Sequence, residues 1–364
     1  MLKQILKNGR SLSLAGRVLR WHLDYLIRRR ARPLACGFYI TSRCNFRCEF
    51  CNIWRIEPPF EAGEGEAKEL VASLGKLKLV YFSVSGGEPL LVPYLFRLMA
   101  FAKQNGVIYT HFVSNGYLLD DATAKQIRLA DVSEVSFSLD ADAQNHDRRR
   151  KVEGAYAGVV AAVERLKLYA PRTQVVLNAI FDPLFPEGAL QAVKAAEAMR
   201  VEIKVQPVNR HPDFAGGRPA IEGRRSFSDE EKERINAALN VLLKRRSVVN
   251  SRAFLENYRA FLFAPEKLLF SREKCIFGYH HIEFFSHQAF PCLEGMGWQG
   301  GFVVKDTELA SLIKSAPYRQ NLAALESCAN CGRNYYVCYY EPRINFPFWN
   351  FFRTRLMPAA YQAC

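Results

Sequence analysis

Residues 41–51 read TSRCNFRCEFC and place Cys44, Cys48 and Cys51 at C-x3-C-x2-C spacing, directly after the predicted strand Phe38–Thr41. A loop this short can gather its three thiols at one site. Cysteine thiolates bind iron–sulfur clusters, and three of them on a four-iron cluster leave one iron without a protein ligand. Zinc is the alternative, but structural zinc usually takes paired C-x2-C units and four ligands. The spacing therefore predicts an iron–sulfur cluster with one open position.

A regular alternation of strands and helices begins at this motif. Helical patterns are clearest at Ala155–Tyr169 and Gly188–Met199. Strands that alternate with helices predict parallel βα units, whose functional groups collect at the C-terminal ends of the strands. The six predicted strands are Phe38–Thr41, Leu79–Ser85, Val107–Ser114, Glu134–Asp140, Gln174–Phe181 and Glu202–Val208.

Glycine and polar residues follow these strands where they end. The second strand runs into Gly86, Gly87 and Glu88. Glycines let backbone approach a ligand closely, and a carboxylate can hold a cationic amine. Later strands end near further polar side chains, namely Asn115, Ser138 and Asn178, and Arg150 lies in the loop after the fourth strand.

The cysteine motif and the Gly-Gly-Glu-Pro segment, one strand apart, resemble the radical S-adenosylmethionine (radical SAM) superfamily. The resemblance implies an α/β fold, a partial (β/α)6 TIM-like barrel. It also implies that S-adenosylmethionine binds the open iron of a [4Fe-4S] cluster and is cleaved reductively to a 5′-deoxyadenosyl radical, which abstracts a substrate hydrogen. An electron donor, a reductase or a ferredoxin or flavodoxin, is implied as a partner.

The same resemblance implies roles for individual residues toward S-adenosylmethionine. Phe50 is expected near the adenine, and the segment Gly86, Gly87 and Glu88 at the amine. Ser138 is expected at the ribose and Arg150 at the methionyl carboxylate, although strand capping and a solvated basic loop are the alternatives for these two. Asn115 and Asn178 are expected to line the same cavity, with a satisfied hydrogen-bond network as the alternative for Asn178.

A second group of cysteines lies toward the C-terminus. Cys275 and Cys292 flank a predicted hairpin, and a C-x2-C pair follows. The pattern resembles the auxiliary-cluster domain called SPASM, or its shorter form Twitch. The resemblance implies an auxiliary [4Fe-4S] cluster on Cys275, Cys292, Cys328 and Cys331, with Cys338 as a further metal ligand. Zinc remains the alternative, because C-x2-C alone does not distinguish the two metals. Cys364 is a late ligand or a free thiol, and Cys36 is expected to be a buried packing residue.

The N-terminal residues form a basic amphipathic pattern, with seven Arg between Arg10 and Arg32. The helix is expected either to pack its apolar stripe against the protein or to lie on an anionic membrane surface, with Trp21 and Tyr25 near the headgroups. The stripe consists of Leu12, Ala15, Leu19, Leu23 and Leu26.

Composition restricts the location and the partners. The formal charge is +14, but neither a zinc-finger pattern nor an RNA-recognition signature is present, so we expect no nucleic-acid partner. No signal peptide and no uninterrupted apolar membrane span are found. Ten cysteines in such a chain are typical of metal binding in a reducing cytoplasm. We therefore expect a cytoplasmic protein with at most peripheral contact at the inner membrane surface.

These patterns divide the chain into five segments. They are a basic N-terminal segment (1–34), a radical SAM core (35–215), a helical linker (216–270), a small cysteine-rich auxiliary domain (271–343) and an aromatic C-terminal tail (344–364). The expected function is oxidative or bond-forming modification of a peptide or of a lipid or isoprenoid. A non-enzymatic iron–sulfur or zinc protein, acting as electron carrier or membrane-associated scaffold, is the alternative, but it gives residues 85–89 no role.

Overall fold

The computed structural model describes residues 11–208, 226–264, 267–268, 274–296, 300–304, 308–328 and 341–343. The strands in these ranges are β1 (Ala35–Thr41), β2 (Tyr81–Gly86), β3 (Tyr109–Ser114), β4 (Glu134–Ser138), β5 (Gln174–Phe181), β6 (Glu202–Pro207), β7 (His281–Phe285), β8 (Gln288–Phe290) and β9 (Phe302–Val303). The α-helices are α1 (Ser11–Arg28), α2 (Glu64–Lys76), α3 (Leu95–Gln104), α4 (Asp121–Leu129), α5 (Ala143–Arg150), α6 (Ala155–Tyr169), α7 (Pro186–Ala198), α8 (Asp229–Lys244), α9 (Arg252–Phe263), α10 (Phe277–His280), α11 (Leu293–Met296), α12 (Leu309–Lys314) and α13 (Ala316–Glu326).

One mixed sheet organises the chain. Its strand order is β6-β5-β4-β3-β2-β1-β7-β8-β9, and β1 to β6 pair in parallel with their neighbours in sequence order. Strand β7 extends the sheet beyond β1, also in parallel, whereas β8 and β9 add in antiparallel fashion. The two edge strands are not paired with each other, so the sheet is an open, partial barrel.

The side of the sheet that faces the helices forms the hydrophobic core. Phe82, Phe112 and Phe137 lie on three neighbouring strands and are fully buried. Successive residues of a strand point to opposite faces, so the residues between them project to the other, concave face. This second face is polar.

A hydrogen-bonded network crosses the concave face near the N-terminal ends of the strands. His111 lies between the hydroxyl groups of Ser83 and Ser136, at 2.8 and 2.9 Å. The Tyr109 hydroxyl donates to Glu134 at 2.7 Å. Buried polar groups are costly unless they are hydrogen-bonded, and here each finds a partner on its own or a neighbouring strand.

The sequence predicted the core strands well. The bounds predicted for β5 and α6 match the structure, and the other five predicted strands overlap the observed ones with ends shifted by up to three residues. The predicted hairpin is present as β7 and β8, but its placement beside β1 was not foreseen. No helix in the described part of the chain is long and apolar enough to cross a bilayer.

Helix α1 has the opposite orientation from the one predicted. Its buried residues are Leu14, Trp21 and Tyr25, and the Trp21 indole Nε1 donates to the carbonyl of Tyr279 at 3.0 Å. Both rings are therefore inaccessible to headgroups. The membrane alternative had expected them near the headgroups and is wrong on this point. The predicted stripe is exposed, including Leu12, Leu19, Leu23 and Leu26, so it does not pack against the protein.

Burial of His111 predicts a loss of stability in acid. Burial lowers the pKa of His111 to about 4, although the neighbouring Glu134 carboxylate acts in the opposite direction. The unfolded chain, where the pKa is ordinary, therefore binds the proton first. The contribution of His111 to the free energy of unfolding is complete above the ordinary histidine pKa and is lost as pH falls toward 4, by about 3 kcal/mol in the limit.

Urea unfolding at about pH 7 and about pH 5 measures this effect. His111→Gln should reduce the dependence without abolishing it, because burial also lowers the pKa of His146, His280 and His281. His287→Gln, at an exposed histidine of the β7–β8 turn, should retain the full dependence because His111 is still present. An equal dependence in wild type and His111→Gln would contradict the assignment.

Candidate functional site

The three cysteines of the first motif lie together in the loop that follows β1. Cys48 is buried, Cys44 and Cys51 are partly buried, and all three pack with Phe46, Phe50 and Ala155 in one small apolar cluster. Burial, together with the neighbouring Glu88, Cys48 and Cys51, raises the pKa of Cys44 to about 12. A thiolate at this position therefore needs a bound metal in place of its proton.

Hydrogen-bond donors surround these sulfurs. The backbone N–H of Phe46 donates to Cys44 Sγ at 3.4 Å, and Arg150 Nη1 donates to Cys48 Sγ at 3.7 Å. The backbone N–H of Ile53 donates to Cys51 and lowers its pKa, although burial raises it more. Donors to sulfur and a dry surrounding are features that stabilise a thiolate-bound cluster.

The thiols of Cys44, Cys48 and Cys51 match the ligand set of a [4Fe-4S] cluster. Within the described ranges, no group of three or more His, Cys, Asp or Glu side chains is placed to bind one metal ion. The donor set, with three sulfurs and one position without a protein ligand, suits a [4Fe-4S] cluster with an open iron.

Gly86, the last residue of β2, and Gly87 allow the end of this strand to approach the cysteine loop closely. The backbone N–H of Gly87 donates to the carbonyl of Thr41 at 2.7 Å, and that of Glu88 donates to Arg43 at 2.9 Å. A Cβ on Gly86 would lie 2.3 Å from the Thr41 oxygen, and one on Gly87 would lie 2.0 Å from the Arg43 oxygen. Only glycine fits at both positions, because backbone atoms cannot move aside as a flexible side chain can.

Glu88 connects two strand ends beneath this loop. Its carboxylate accepts from Ser114 Oγ at 2.8 Å and from the backbone N–H groups of Asn115 and Leu90 at 2.8 and 3.0 Å. Burial raises the pKa of Glu88 to about 7 despite these donors. The Asn115 side chain in turn donates to Asn45 of the cysteine loop at 2.7 Å. Three of about four acceptor positions of the carboxylate are thus used, which leaves room for one further cationic donor.

Arg150 is fixed from the opposite side by Asp140. Arg150 Nε donates to Asp140 Oδ2 at 2.8 Å, and Asp140 Oδ1 accepts from the backbone N–H of Ile180 at 3.0 Å. The guanidinium is buried and reaches Cys48. It also lies over the Phe50 ring, with Arg150 Cζ 4.9 Å from the ring centre. The predicted carboxylate-binding arginine is therefore close to both the cysteine loop and the predicted adenine neighbour.

Two buried side-chain oxygens, one next to the cysteine motif and one on β5, have no partner in the described part of the chain. They are Oδ1 of Asn52, which follows Cys51, and Oδ1 of Asn178. Asn178 pairs with Ser138, the last residue of β4, and lies three residues before the end of β5. Unpartnered buried acceptors are rare, so each of these two oxygens can still accept a hydrogen bond from a ligand.

The described auxiliary cysteines are brought together at the C-terminal end of α13. The backbone N–H of Cys275 donates to the carbonyl of Glu326, and that of Cys328 donates to Leu325. Cys292 Sγ accepts from the backbone N–H of Gly295 at 3.3 Å, and a Cβ on Gly295 would contact both that sulfur and the Leu325 side chain. Cys331, Cys338 and Cys364 lie outside the described residues.

Sequence reasoning missed three residues that organise this site. They are Asp140, which accepts a hydrogen bond from Arg150; Ser114, which donates one to Glu88; and Asn45, which accepts one from the Asn115 amide. All three stand in or beside motifs that the sequence singled out. Their partners, however, lie on other strands or in the cysteine loop, so only the fold reveals the pairs.

The fold and the site of residues 35–208 are those of a radical SAM domain. The sequence profile of the radical SAM superfamily matches residues 38–183, which span β1 to β5 and the cysteine loop. The chain therefore contains a radical SAM domain, whose family uses a [4Fe-4S] cluster and S-adenosylmethionine and consists of enzymes.

Relatives of known activity share this domain. An AdoMet-dependent heme synthase from Methanosarcina barkeri is 33% identical over 141 residues, covering 37% of this chain and 39% of that protein. A PqqA peptide cyclase from Granulibacter bethesdensis is 26% identical over 170 residues, covering 46% and 45%. The chain thus spans less than half the length of these curated relatives.

Solved structures extend the likeness beyond the domain. SuiB from Streptococcus suis has a TM-score of 0.62 at 15% identity, covering 88% of this chain and 76% of that chain. At this identity the likeness establishes the fold alone, and it confirms the predicted partial barrel.

Gly87→Ala should displace the cysteine loop, because its methyl group would overlap the Arg43 carbonyl. We expect the reconstituted iron content to fall several-fold and the melting temperature to decrease. Gly65→Ala is the matched control: it lies in α2 with no atom within 4 Å of the added carbon, and alanine favours helices. Iron content measured by colorimetric assay should be normal in Gly65→Ala, and equal iron in both variants would contradict the packing argument.

Proposed function

We propose that this protein is a radical SAM enzyme that modifies a side chain of a peptide. The observation that carries the proposal is the packing of Cys44, Cys48 and Cys51 in one apolar cluster, where Arg150 Nη1 donates to Cys48 Sγ at 3.7 Å. When bound, the [4Fe-4S] cluster and S-adenosylmethionine supply a 5′-deoxyadenosyl radical that abstracts hydrogen from a substrate.

The protein's own residues bind and orient the cofactors. Cys44, Cys48 and Cys51 would hold the cluster. Glu88 retains one acceptor position for an ammonium group, and Arg150, fixed by Asp140, offers its remaining N–H donors to a carboxylate. The apolar cluster of Phe46 and Phe50 excludes water from the reaction.

Three roles predicted from the family resemblance remain part of this proposal. Phe50 would lie beside the adenine, where Arg150 already covers part of its ring. Ser138 would contact the ribose from the end of β4. Asn115 would line the cavity from the end of β3, where its amide is directed to Asn45.

An auxiliary cluster fits the cysteines at the end of α13. Cys275 and Cys328 are joined to the end of α13 by backbone hydrogen bonds, and Cys292 lies near Gly295 beside Leu325. These three would bind the cluster together with Cys331, with Cys338 as a further candidate. Such a cluster would supply a second one-electron redox group near the open edge of the barrel. A reductase, ferredoxin or flavodoxin would serve as the electron donor to the protein.

Relatives support a peptide substrate over a lipid. One relative is a PqqA peptide cyclase, and SuiB has been crystallised bound to the precursor peptide SuiA. None of the relatives named here carries a lipid or isoprenoid in its name. A tetrapyrrole is the second candidate, because a heme synthase shares 33% identity with the radical SAM domain.

Anaerobic reconstitution tests the cluster assignment. The wild-type protein should bind more than four iron atoms per chain and should form 5′-deoxyadenosine from S-adenosylmethionine only when a reductant is added. Cys48→Ala should abolish that product, because the cluster loses a ligand. Iron analysis and chromatography of the reaction measure both effects.

Cys36→Ala is the control for this experiment. Cys36 is fully buried in β1, and burial raises the pKa of its thiol well above the usual value, as expected of an inert packing residue. Its replacement should leave iron content and 5′-deoxyadenosine formation near wild type. Product formation by Cys48→Ala would refute the open-cluster assignment.

The substrate class is tested with isotope transfer. A peptide substrate labelled with deuterium should pass the label into 5′-deoxyadenosine, and its mass should change by the hydrogens lost. Deuterium transfer from a porphyrin, with none from peptides encoded near the gene, would favour the tetrapyrrole candidate.

A further inference from the structure

Helix α1 is attached to the protein by one face. Leu14, Trp21 and Tyr25 are buried, and the Trp21 and Tyr25 rings stack at 5.2 Å between centres. Arg17 adds polar anchors, with hydrogen bonds to the carbonyls of Leu79 and Gly106. The helix is therefore a fixed part of the fold, and its outer surface is held in a defined orientation.

The opposite face of α1 is apolar and exposed. Leu12 is 89% exposed, Ile27 74%, Leu19 62%, Leu26 53% and Leu23 49%. At 3.6 residues per turn these five side chains, together with Ala15 and Gly16, fall on one side of the helix. Exposed single leucines need no explanation, but a continuous apolar face on a fixed helix marks an interaction surface.

Positive charge borders this face. Arg20 and the run Arg28 to Arg30 are exposed. The one acidic residue of α1, Asp24, is buried and paired with Arg28 and Arg32, so it offsets part of this charge and leaves the edge of the face net positive. An apolar face with arginines at its edge is typical of helices that lie in the interface of an anionic membrane.

A cavity of about 340 Å³ opens beside the apolar face. Arg17, Arg20, Arg32 and Lys78 line it together with Leu12 and Leu34, and none of its lining residues is acidic. Arg32 is paired with Asp24 and Arg17 donates to backbone carbonyls, whereas Arg20 and Lys78 are exposed. The cavity therefore keeps a net positive charge beside an apolar wall, which suits an anionic headgroup whose acyl chains continue along the leucines. A protein partner would not require this combination.

We propose that the outer face of α1, defined by Leu12, Leu19, Leu23, Leu26 and Ile27, binds the surface of a bilayer that contains anionic phospholipid, with a headgroup phosphate in the Arg17–Arg20–Arg32–Lys78 cavity. Five leucine and isoleucine side chains enter the acyl boundary, and the arginines contact phosphates. This binding does not depend on the radical SAM activity.

The contact would leave the catalytic site accessible from water. Arg17 binds carbonyls that precede β2 and β3, and Leu34 precedes β1, so α1 lies at the N-terminal ends of the strands. The cysteine loop follows the C-terminal end of β1. The bilayer and the cluster therefore lie at opposite ends of the sheet.

Vesicle sedimentation tests the proposal with the full-length protein. The protein should sediment with vesicles of phosphatidylcholine and phosphatidylglycerol and remain largely in the supernatant with phosphatidylcholine alone. Leu19→Glu/Leu23→Glu should reduce the partition coefficient by about tenfold or more, since it removes apolar contact and adds repulsion. Arg20→Glu/Lys78→Glu should have a similar effect of about tenfold or more.

Matched controls carry the same changes elsewhere on the surface. Leu129→Glu/Leu168→Glu replaces leucines that are 68% and 69% exposed, and Arg172→Glu/Lys194→Glu replaces exposed cations. Both should bind vesicles like wild type, and circular dichroism should show that every variant is folded. Vesicle binding that is independent of phosphatidylglycerol would overturn the proposal, as would equal losses of binding in the variants and their controls. It would also be overturned if the protein bound no vesicles and light scattering showed a dimer that Leu19→Glu/Leu23→Glu converts to a monomer.

Discussion

The close approach of the Gly86-Gly87 turn to the cysteine loop is the constraint on which the site depends. Two backbone hydrogen bonds join the segments, and no Cβ fits between them. The loop between Cys44 and Cys51 contains no helix or strand, so its position depends on its contacts with the ends of β1 and β2. A parallel pair of strands, fixed by its own ladder, thereby sets the place of three thiols that are up to seven residues apart.

Two buried carboxylates extend this order across the barrel. Glu88 connects the ends of β2 and β3, whereas Asp140 connects the end of β4 to β5 and to Arg150. Each carboxylate is costly to bury, and each is stabilised by several donors that can be satisfied only when the strands are in register. The polar groups around the cysteine loop are therefore pre-organised before any cofactor binds, as precise chemistry requires.

The sequence was sufficient for the central strands and insufficient for contacts between distant segments. Buried parallel strands are continuous apolar runs with turn residues at their ends, which explains why β5 was predicted to the residue. The pairs Glu88–Ser114 and Asp140–Arg150 join separate segments and leave no periodic signal. The predicted orientation of helix α1 was wrong for another reason. Periodicity identifies an apolar face, but α1 has two such faces, and the buried one is the face on which Trp21 donates to the Tyr279 carbonyl.

The geometry also separates two hypotheses that the sequence had joined. A basic amphipathic N-terminus suggested both a membrane contact and a lipid substrate. Strand β1 has seven residues, which corresponds to about 20 Å at the usual rise of a strand, and α1 and the cysteine loop lie at its opposite ends. A lipid held at α1 would have to leave the bilayer and cross that distance to meet the reacting atoms. Membrane attachment at α1 thus gives no support to a lipid substrate, and it leaves the proposal of a peptide substrate unchanged.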